Sequence, residues 1–575
     1  MVSASALILL LWSLGRPAHA SFAAFVDAYF DSTFSYSPSL ATTAGIHQFD
    51  RRIEDRSAAR VRARIATLKR QLAQLDTLRR GPLAHDDSID AAMLDGAIRS
   101  ELLDEEIVGT WRKNPMIYIQ GAGNAIDLLM KRDFAPAAER LAAVTSRLSG
   151  IPALLRAMQA NVANPPREFT DIALDIAQGS IGFFQSDVAA WARGAAGADS
   201  AALRRFTTAN DSVVRVLNAT VAWLKADLAP RSHGSFAIGA EAFAAKLRYD
   251  EMVDIPLDRL LARGEANLAR DRAAFLATAA LVAPGKTPAE AMASLEQDHP
   301  TRATLLEATR ATIEGARQFL IDHQIVDIPS DARPIVAETP PYARVGTFAS
   351  MDAPGAFETR ATEAFYYVTP VEADWDSARA EQHLRLYNRS VMNVITIHEV
   401  FPGHFVQFLY VKQFPTKTRK LLANNGFTAN TNVEGWAHYG EQMMVEEGFG
   451  NGDARTRLAQ LSEALLRDCR WVVGIKEHTQ GMSVDDGAKR YFTEQCFQQP
   501  ANGFEEARRA TYDPTYLYYA LGKLEIYKLR ADYQRAKGSS YSLRQFHDDF
   551  VKQGAVPIKL IRRILLPGDT AAVLD

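Results

Sequence analysis

From Ser21 to about Gln324 the chain repeats one texture: apolar residues three and four positions apart, in long stretches broken by proline or glycine. Apolar positions at that spacing share one face of a 3.6-residue helix, so the texture predicts a helical array. Leu141, Val144, Leu148, Ile151, Leu154 and Leu155 form one such face, with Arg140 and Arg147 among them. Leu257, Leu260, Leu261, Ala266 and Leu268 form another after Pro256. Breaks with loop chemistry fall at Gly194–Gly197, Ala283–Pro288 and Ile328–Gly346. The last holds Pro329, Pro334, Pro340 and Pro341, residues that end helices and remove backbone donors. It divides the chain into an N-terminal helical lobe, 21–345, and a second lobe, 346–575, expected to continue the first as one unit.

Past that break the pattern changes. Ala364-Phe365-Tyr366-Tyr367-Val368 is aromatic and β-branched, and Thr369-Pro370 closes it, which predicts a short strand. Such a strand could pair with an extended substrate backbone or belong to a small structural hairpin. From Trp375 helical periodicity returns and persists almost to the end. The expected fold is mainly α: a large helical array in two lobes around a cleft, with a small β-sheet near the site.

Composition adds little except by exclusion. The 47% hydrophobic and 23% charged fractions are those of an ordinary globular protein. The balance of 65 basic and 68 acidic side chains is too even to draw the chain to nucleic acid or an anionic membrane by bulk charge. Residues 1–20 read as a signal peptide: Ala4 to Leu14 is apolar, and Ala18-His19-Ala20 offers a cleavage site, although no Lys or Arg precedes the apolar run. Export to the periplasm or beyond follows. No later segment has the roughly 20 uninterrupted apolar residues of an integral span. Cys469 and Cys496 allow one disulfide, which the sequence leaves open.

The chemistry concentrates in Val391-Met392-Asn393-Val394-Ile395-Thr396-Ile397-His398-Glu399-Val400-Phe401-Pro402-Gly403-His404, an apolar run that abruptly presents two histidines and a glutamate. Imidazole nitrogen and carboxylate oxygen suit zinc, and a catalytic zinc site uses three protein ligands. The histidines are six apart, against four in the familiar His-Glu-x-x-His. On a straight helix six steps leave the rings about 120° apart around the axis. Pro402 and Gly403 lie between them, and a local kink or bulge there can return His404 toward a shared metal. A third ligand is expected thirty residues on, at Glu434 in Asn432-Val433-Glu434-Gly435-Trp436-Ala437-His438-Tyr439. His438, four further along the same helical face, could orient Glu434, bind substrate or replace it as ligand. Glu441, Glu446 and Glu447 read as a surface charge cluster.

His-Glu-x-x-Pro-Gly-His followed by Glu-Gly-Trp-Ala-x-Tyr resembles the bacterial family called domain of unknown function 885, whose members look like helical zinc peptidases such as the Taq-type carboxypeptidases. The similarity covers nearly the whole mature chain and is strongest from Tyr367 to Arg530. It implies one zinc ion held by His398, His404 and Glu434, with Glu399 as general base and acid; manganese and cobalt share this ligand chemistry. In the tail, Tyr519-Ala520-Leu521-Gly522-Lys523 and Arg530 resemble a family pattern, which points to Tyr519 as the donor to a tetrahedral oxyanion. Arg470 and His478 occupy positions where the family carries an arginine and a histidine near substrate. Gly474-Ile475-Lys476-Glu477 departs from the usual Asp-Thr-Gly there, which puts the lining of the site in doubt.

The function implied is an exported zinc metallopeptidase acting on short peptides. Arg530, Arg470 or Lys523 could hold a terminal carboxylate, which favours carboxypeptidase-like action. A zinc hydrolase of a non-peptide amide or ester would use the same parts. A peptide-binding protein without catalysis would have no need of Glu399.

Overall fold

A computed structural model describes residues 21–340, 343–344, 347–423, 429–569 and 574. The expected signal peptide lies outside the described residues. The chain is mainly α-helical, with one three-stranded sheet. No described helix is long and apolar enough to cross a membrane.

The helices follow the apolar periodicity. The face read around Leu141 to Leu155 belongs to the helix Ala137–Asn161, and the face after Pro256 to the helix Leu257–Val282. Arg140 and Arg147 are buried with that first face. Arg147 donates to the carbonyls of Ala125 and Arg52 and to the Thr42 hydroxyl, which satisfies a guanidinium inside an apolar core. The expected breaks also mark helix ends. One helix stops at Ala196 before Gly197 takes φ +52°, and Thr287 opens the next element after Val282 with a capping box to Glu290.

The sheet consists of β1 (Ile335–Glu338), β2 (Ala349–Asp352) and β3 (Phe365–Val368), in the order β1-β3-β2. β3 runs parallel to β1, with Val336 opposite Tyr366, and antiparallel to β2, with Met351 opposite Tyr366. The strand expected at 364–368 therefore exists, but it is central. Its backbone is committed on both sides, so β3 is not an edge for substrate; the edge beside the site belongs to β2. β1 precedes position 345 and pairs with β3 beyond it, and the largest apolar core runs from Phe22 to Leu566.

Four helices build the ground beneath the site. The helix Arg389–Glu399 is capped by the Asn388 side chain, which accepts from the Val391 N–H. The helix Asn430–Glu446 is capped from a distant part of the chain: the Glu251 carboxylate accepts from the N–H groups of Asn430 and Thr431 and from the Thr431 hydroxyl. The helix Tyr518–Lys537 crosses it where Gly435 meets Gly522, and a Cβ on either would strike the other's backbone or the Thr431 carbonyl. The fourth helix, Ala454–Thr479, packs on Leu257–Val282, with Trp471 Nε1 donating to the Leu260 carbonyl at 3.1 Å. Cys469 and Cys496 form a disulfide with Cα atoms 6.5 Å apart, tying this helix to the segment beyond it.

Candidate metal centre

The Arg389–Glu399 helix carries His398 in its last turn. Met392, Val394 and Ile397 bury its apolar side, and Thr396 hydrogen-bonds Thr312 at 2.7 Å. Helical geometry stops at Glu399, and a new helix, His404–Tyr410, begins at the second histidine. The proline-glycine insert thus separates two helices rather than kinking one. Gly403 N–H donates to the Ile397 carbonyl at 3.0 Å, and a Cβ at Gly403 would collide with the His398 carbonyl. Only glycine allows so tight a return. Trp436 Nε1 clamps it from the neighbouring helix by donating to the Pro402 carbonyl at 2.8 Å.

The return sets the His398 and His404 rings 4.9 Å apart and nearly perpendicular. Glu434 Oε2 lies 3.3 Å from Nε2 of His398 and 3.4 Å from Nε2 of His404. Ligands about 2.0–2.1 Å from a tetrahedral ion stand about 3.3–3.4 Å from one another, so each imidazole–carboxylate pair has the spacing of two ligands on one ion. His398 provides an internal contrast. Its Nδ1 donates to Glu441 Oε1 at 2.7 Å, the length of a charge-assisted hydrogen bond, while Nε2 meets Glu434 at the longer distance of 3.3 Å. Donor chemistry and spacing therefore fit a zinc-like cation at His398, His404 and Glu434.

Glu399 also approaches the histidines: ligand atoms of His398, Glu399 and His404 lie within 4.8 Å of one another. Glu434 is the better third ligand, because one oxygen is equidistant from both imidazoles. Glu399 instead accepts the Met351 N–H from β2. Burial raises the Glu399 carboxyl and Glu434 adds to the rise, with His404 and His398 opposing; the net direction is upward. Burial would raise Glu434 too, but the two imidazoles outweigh it and hold that carboxyl well below its usual range.

Tyr519 joins the centre. Its ring lies 6.2 Å from that of His398, and its hydroxyl accepts from Arg509 at 3.3 Å. The guanidinium groups of Arg470 and Arg467 stand 5.0 and 5.7 Å from its ring centre. Burial, with Glu434 adding to it, raises the phenol above its ordinary pKa, so the hydroxyl keeps its proton.

The remaining expected site residues are spent on structure. Arg470 makes a two-pronged ion pair with Glu506 at 2.7 and 2.8 Å, so it steadies Tyr519 rather than waiting for substrate. His478 uses both nitrogens inside the protein: Nε2–H donates to the Ala510 carbonyl at 2.8 Å, and Nδ1 accepts the Ile238 N–H at 3.3 Å. Arg530, eleven residues beyond Tyr519 on the same helix and so about 16 Å along it, reaches Tyr439, Tyr541 and Glu447. Lys523 is fully buried, 3.5 Å from Asp271. His438 is fully buried and bonds Glu441 at 3.0 Å; it neither ligates beside Glu434 nor faces a substrate.

Glu441 is the largest correction. It is fully buried, not part of a surface cluster, and bonds both His398 and His438, with Arg467 3.6 Å away. It follows Glu434 by seven residues, two helical turns on the same face, a spacing that marks it in the sequence. Arg509, Arg467 and Met351 carried no such signal, since only the fold brings them to the centre.

Together these features define a mainly helical protein that presents a His-Glu-His triad with a second carboxylate beside it. Residues 38–565 match the bacterial protein family of unknown function DUF885, and the chain belongs to that family. It is similar to the solved structure of a candidate lipoprotein of unknown function from Shewanella oneidensis, with 28% identity and a TM-score of 0.77 over 95% of this chain and 100% of that one. A candidate lipoprotein from Colwellia psychrerythraea shares the fold at 18% identity, with a TM-score of 0.80 over 95% of this chain and 98% of that one. No curated protein matches the chain.

Proposed function

We propose that the chain is an exported zinc-dependent hydrolase that cleaves peptide bonds of short peptides. The observation that carries this reading is the equal spacing of Glu434 Oε2 from the two histidine Nε2 atoms, beside a carboxylate, Glu399, whose pKa is raised. Zinc held by His398, His404 and Glu434 would supply a Lewis acid that polarises the scissile carbonyl and acidifies water. Glu399 would take the proton of the attacking water and return it to the leaving nitrogen; a raised pKa brings such a group toward the operating pH. The Tyr519 hydroxyl, kept protonated and held by Arg509, would donate to the developing oxyanion.

Peptide as substrate draws support from β2. Phe348 C=O accepts from the Thr369 N–H, which puts 348, 350 and 352 in the hydrogen-bonded phase of the ladder with β3, while Met351 N–H turns the other way, to Glu399. An extended backbone could pair along that edge next to the base. Carboxypeptidase-like trimming rested on Arg470, Arg530 and Lys523, whose internal partners remove that support. Export rests on the apolar N-terminal segment and on the naming of the two similar structures as candidate lipoproteins.

The test is removal of metal by a chelator, restoration with one equivalent of zinc, and mass analysis of a short-peptide pool. Cleavage should vanish and return, with products carrying new termini. A zinc-loaded protein that leaves every peptide intact would overturn the proposal.

A further inference from the structure

Three guanidinium groups converge on Tyr519, and they are not alike. Arg470 is 8% exposed and commits two nitrogens to Glu506. Arg467 is 6% exposed, bonds Glu463 and stands 3.6 Å from Glu441. Arg509 is 31% exposed and makes its protein hydrogen bonds through one nitrogen: Nη2 donates to Asp513 Oδ2 at 3.2 Å and to the Tyr519 hydroxyl at 3.3 Å. Its Nε and Nη1 hydrogens meet no acceptor among the described residues. A guanidinium carries five donors in a planar fork that suits a carboxylate. Of the three arginines, Arg509 is the one that combines exposure with donors to spare, so it can take an anion without breaking a bond it already makes.

Its place is fixed from two sides. Arg509 lies in the last turn of the helix Pro500–Ala510, and the turn that leads on to the helix Tyr518–Lys537 carries Asp513. Asp513 Oδ2 accepts from Arg509 and also from the Tyr518 hydroxyl at 2.9 Å. The guanidinium is thereby held beside the phenol that faces the developing oxyanion. On either side of that 3.3 Å contact, a hydrogen bond of about 2.7 Å reaches the oxyanion and one of about 2.8 Å reaches a carboxylate. With the width of the guanidinium included, the two anions stand within about 11 Å of each other, the reach of at most about three extended residues.

We propose that Arg509 binds the terminal carboxylate of the substrate, so that the enzyme counts its cleavage site from the carboxyl end. The inference rests on the hydrolase reading and names its substrate class: short peptides with a free C-terminal carboxylate. Arg470, Arg530 and Lys523 are committed to internal partners; Arg509 is committed only in part, and it lies at the centre.

The test offers zinc-loaded protein N-acetylated peptides of four, five and six residues, each as the free acid and as the C-terminal amide, with products sized by mass. The acids should all release a C-terminal fragment of one length, from one to about three residues. The amides should be cut at least about tenfold more slowly in kcat/KM, the loss of a hydrogen bond to a charged group. Arg509→Gln should erase the acid-over-amide ratio and Arg509→Lys should keep part of it; this ratio, unlike turnover, cancels any loosening of Tyr519. Acids and amides cut alike by wild type, or cuts counted from the acetylated end, would overturn the proposal while the hydrolase reading stands, and neither result depends on a variant that folds. Where no peptide is cut, calorimetric binding of the tetrapeptide acid against its amide decides. A preference for the acid that Arg509→Gln removes would support the Arg509 site while the hydrolase reading falls; equal binding, or none, would overturn both.

Discussion

Two buried histidines on neighbouring helices separate structure from function in this protein. His478 sits between Phe236 and Phe243, with one nitrogen donating to a carbonyl and the other accepting a backbone N–H. Burial pulls its pKa down to about 4, and nothing on the ring is left to bind anything. His398 is also buried, with Nδ1 at 2.7 Å from Glu441 and Nε2 at 3.3 Å from Glu434. Its Nε2 points at a carboxylate oxygen that a second imidazole shares at nearly equal distance. Burial therefore does not distinguish the two sites, although at His398 its downward pull is outweighed by Glu434 and Glu441, which raise the pKa to about 9. What distinguishes them is a convergence of groups that an ion would complete.

The strongest way to break this comparison is at Glu399. Glu399→Gln should lower turnover about 10²–10⁴-fold while bound zinc, measured by mass spectrometry, stays at wild-type level; equal turnover would remove the base from the mechanism. Tyr519→Phe should cost about 10²–10³-fold in kcat, with KM and zinc content little changed. Glu441→Gln should weaken zinc binding about 10–100-fold, a loss that excess zinc restores in activity assays.

The smallest effect on activity belongs to the other histidine. His478→Gln should leave zinc affinity within about twofold and destabilise the fold by about 1–3 kcal/mol. The pH dependence of stability gives the sign. Between pH 6.5 and about 4 the unfolded ring binds a proton that the buried ring does not. Stability therefore falls as pH falls through that window, by up to about 3 kcal/mol from this group. The variant should lose that part of the slope in urea titrations at pH 7 and pH 4.5.

Much of this was legible in the chain itself. The triad and the neighbouring Glu399 stood out because His398, Glu399, His404 and Glu434 interrupt apolar helical patterns, and the proline-glycine insert announced a departure from a straight helix, though as a kink or bulge rather than the change of helix it is. Strand β3 was legible from its aromatic run. Strand β2, Ala349-Ser350-Met351-Asp352, carries no β-branched residue and exists through its pairing with β3. The tail misled for a different reason. Arg470, Lys523 and Arg530 advertise positive charge, but their partners Glu506, Asp271 and Glu447 lie 36, 252 and 83 residues away. A charge shows in sequence; its neutralisation by a distant helix does not. Glu441 was readable from its two-turn spacing to Glu434 and was obscured by Glu446 and Glu447, the acids that follow it.

The central claim is that three side chains share one ion. A crystal structure of zinc-loaded protein, with anomalous scattering recorded on both sides of the zinc edge, tests it most directly. The account predicts a single strong peak about 2.0–2.2 Å from His398 Nε2, His404 Nε2 and Glu434 Oε2. Zinc ordered at other residues, or no peak at this triad when zinc is in excess, would contradict it.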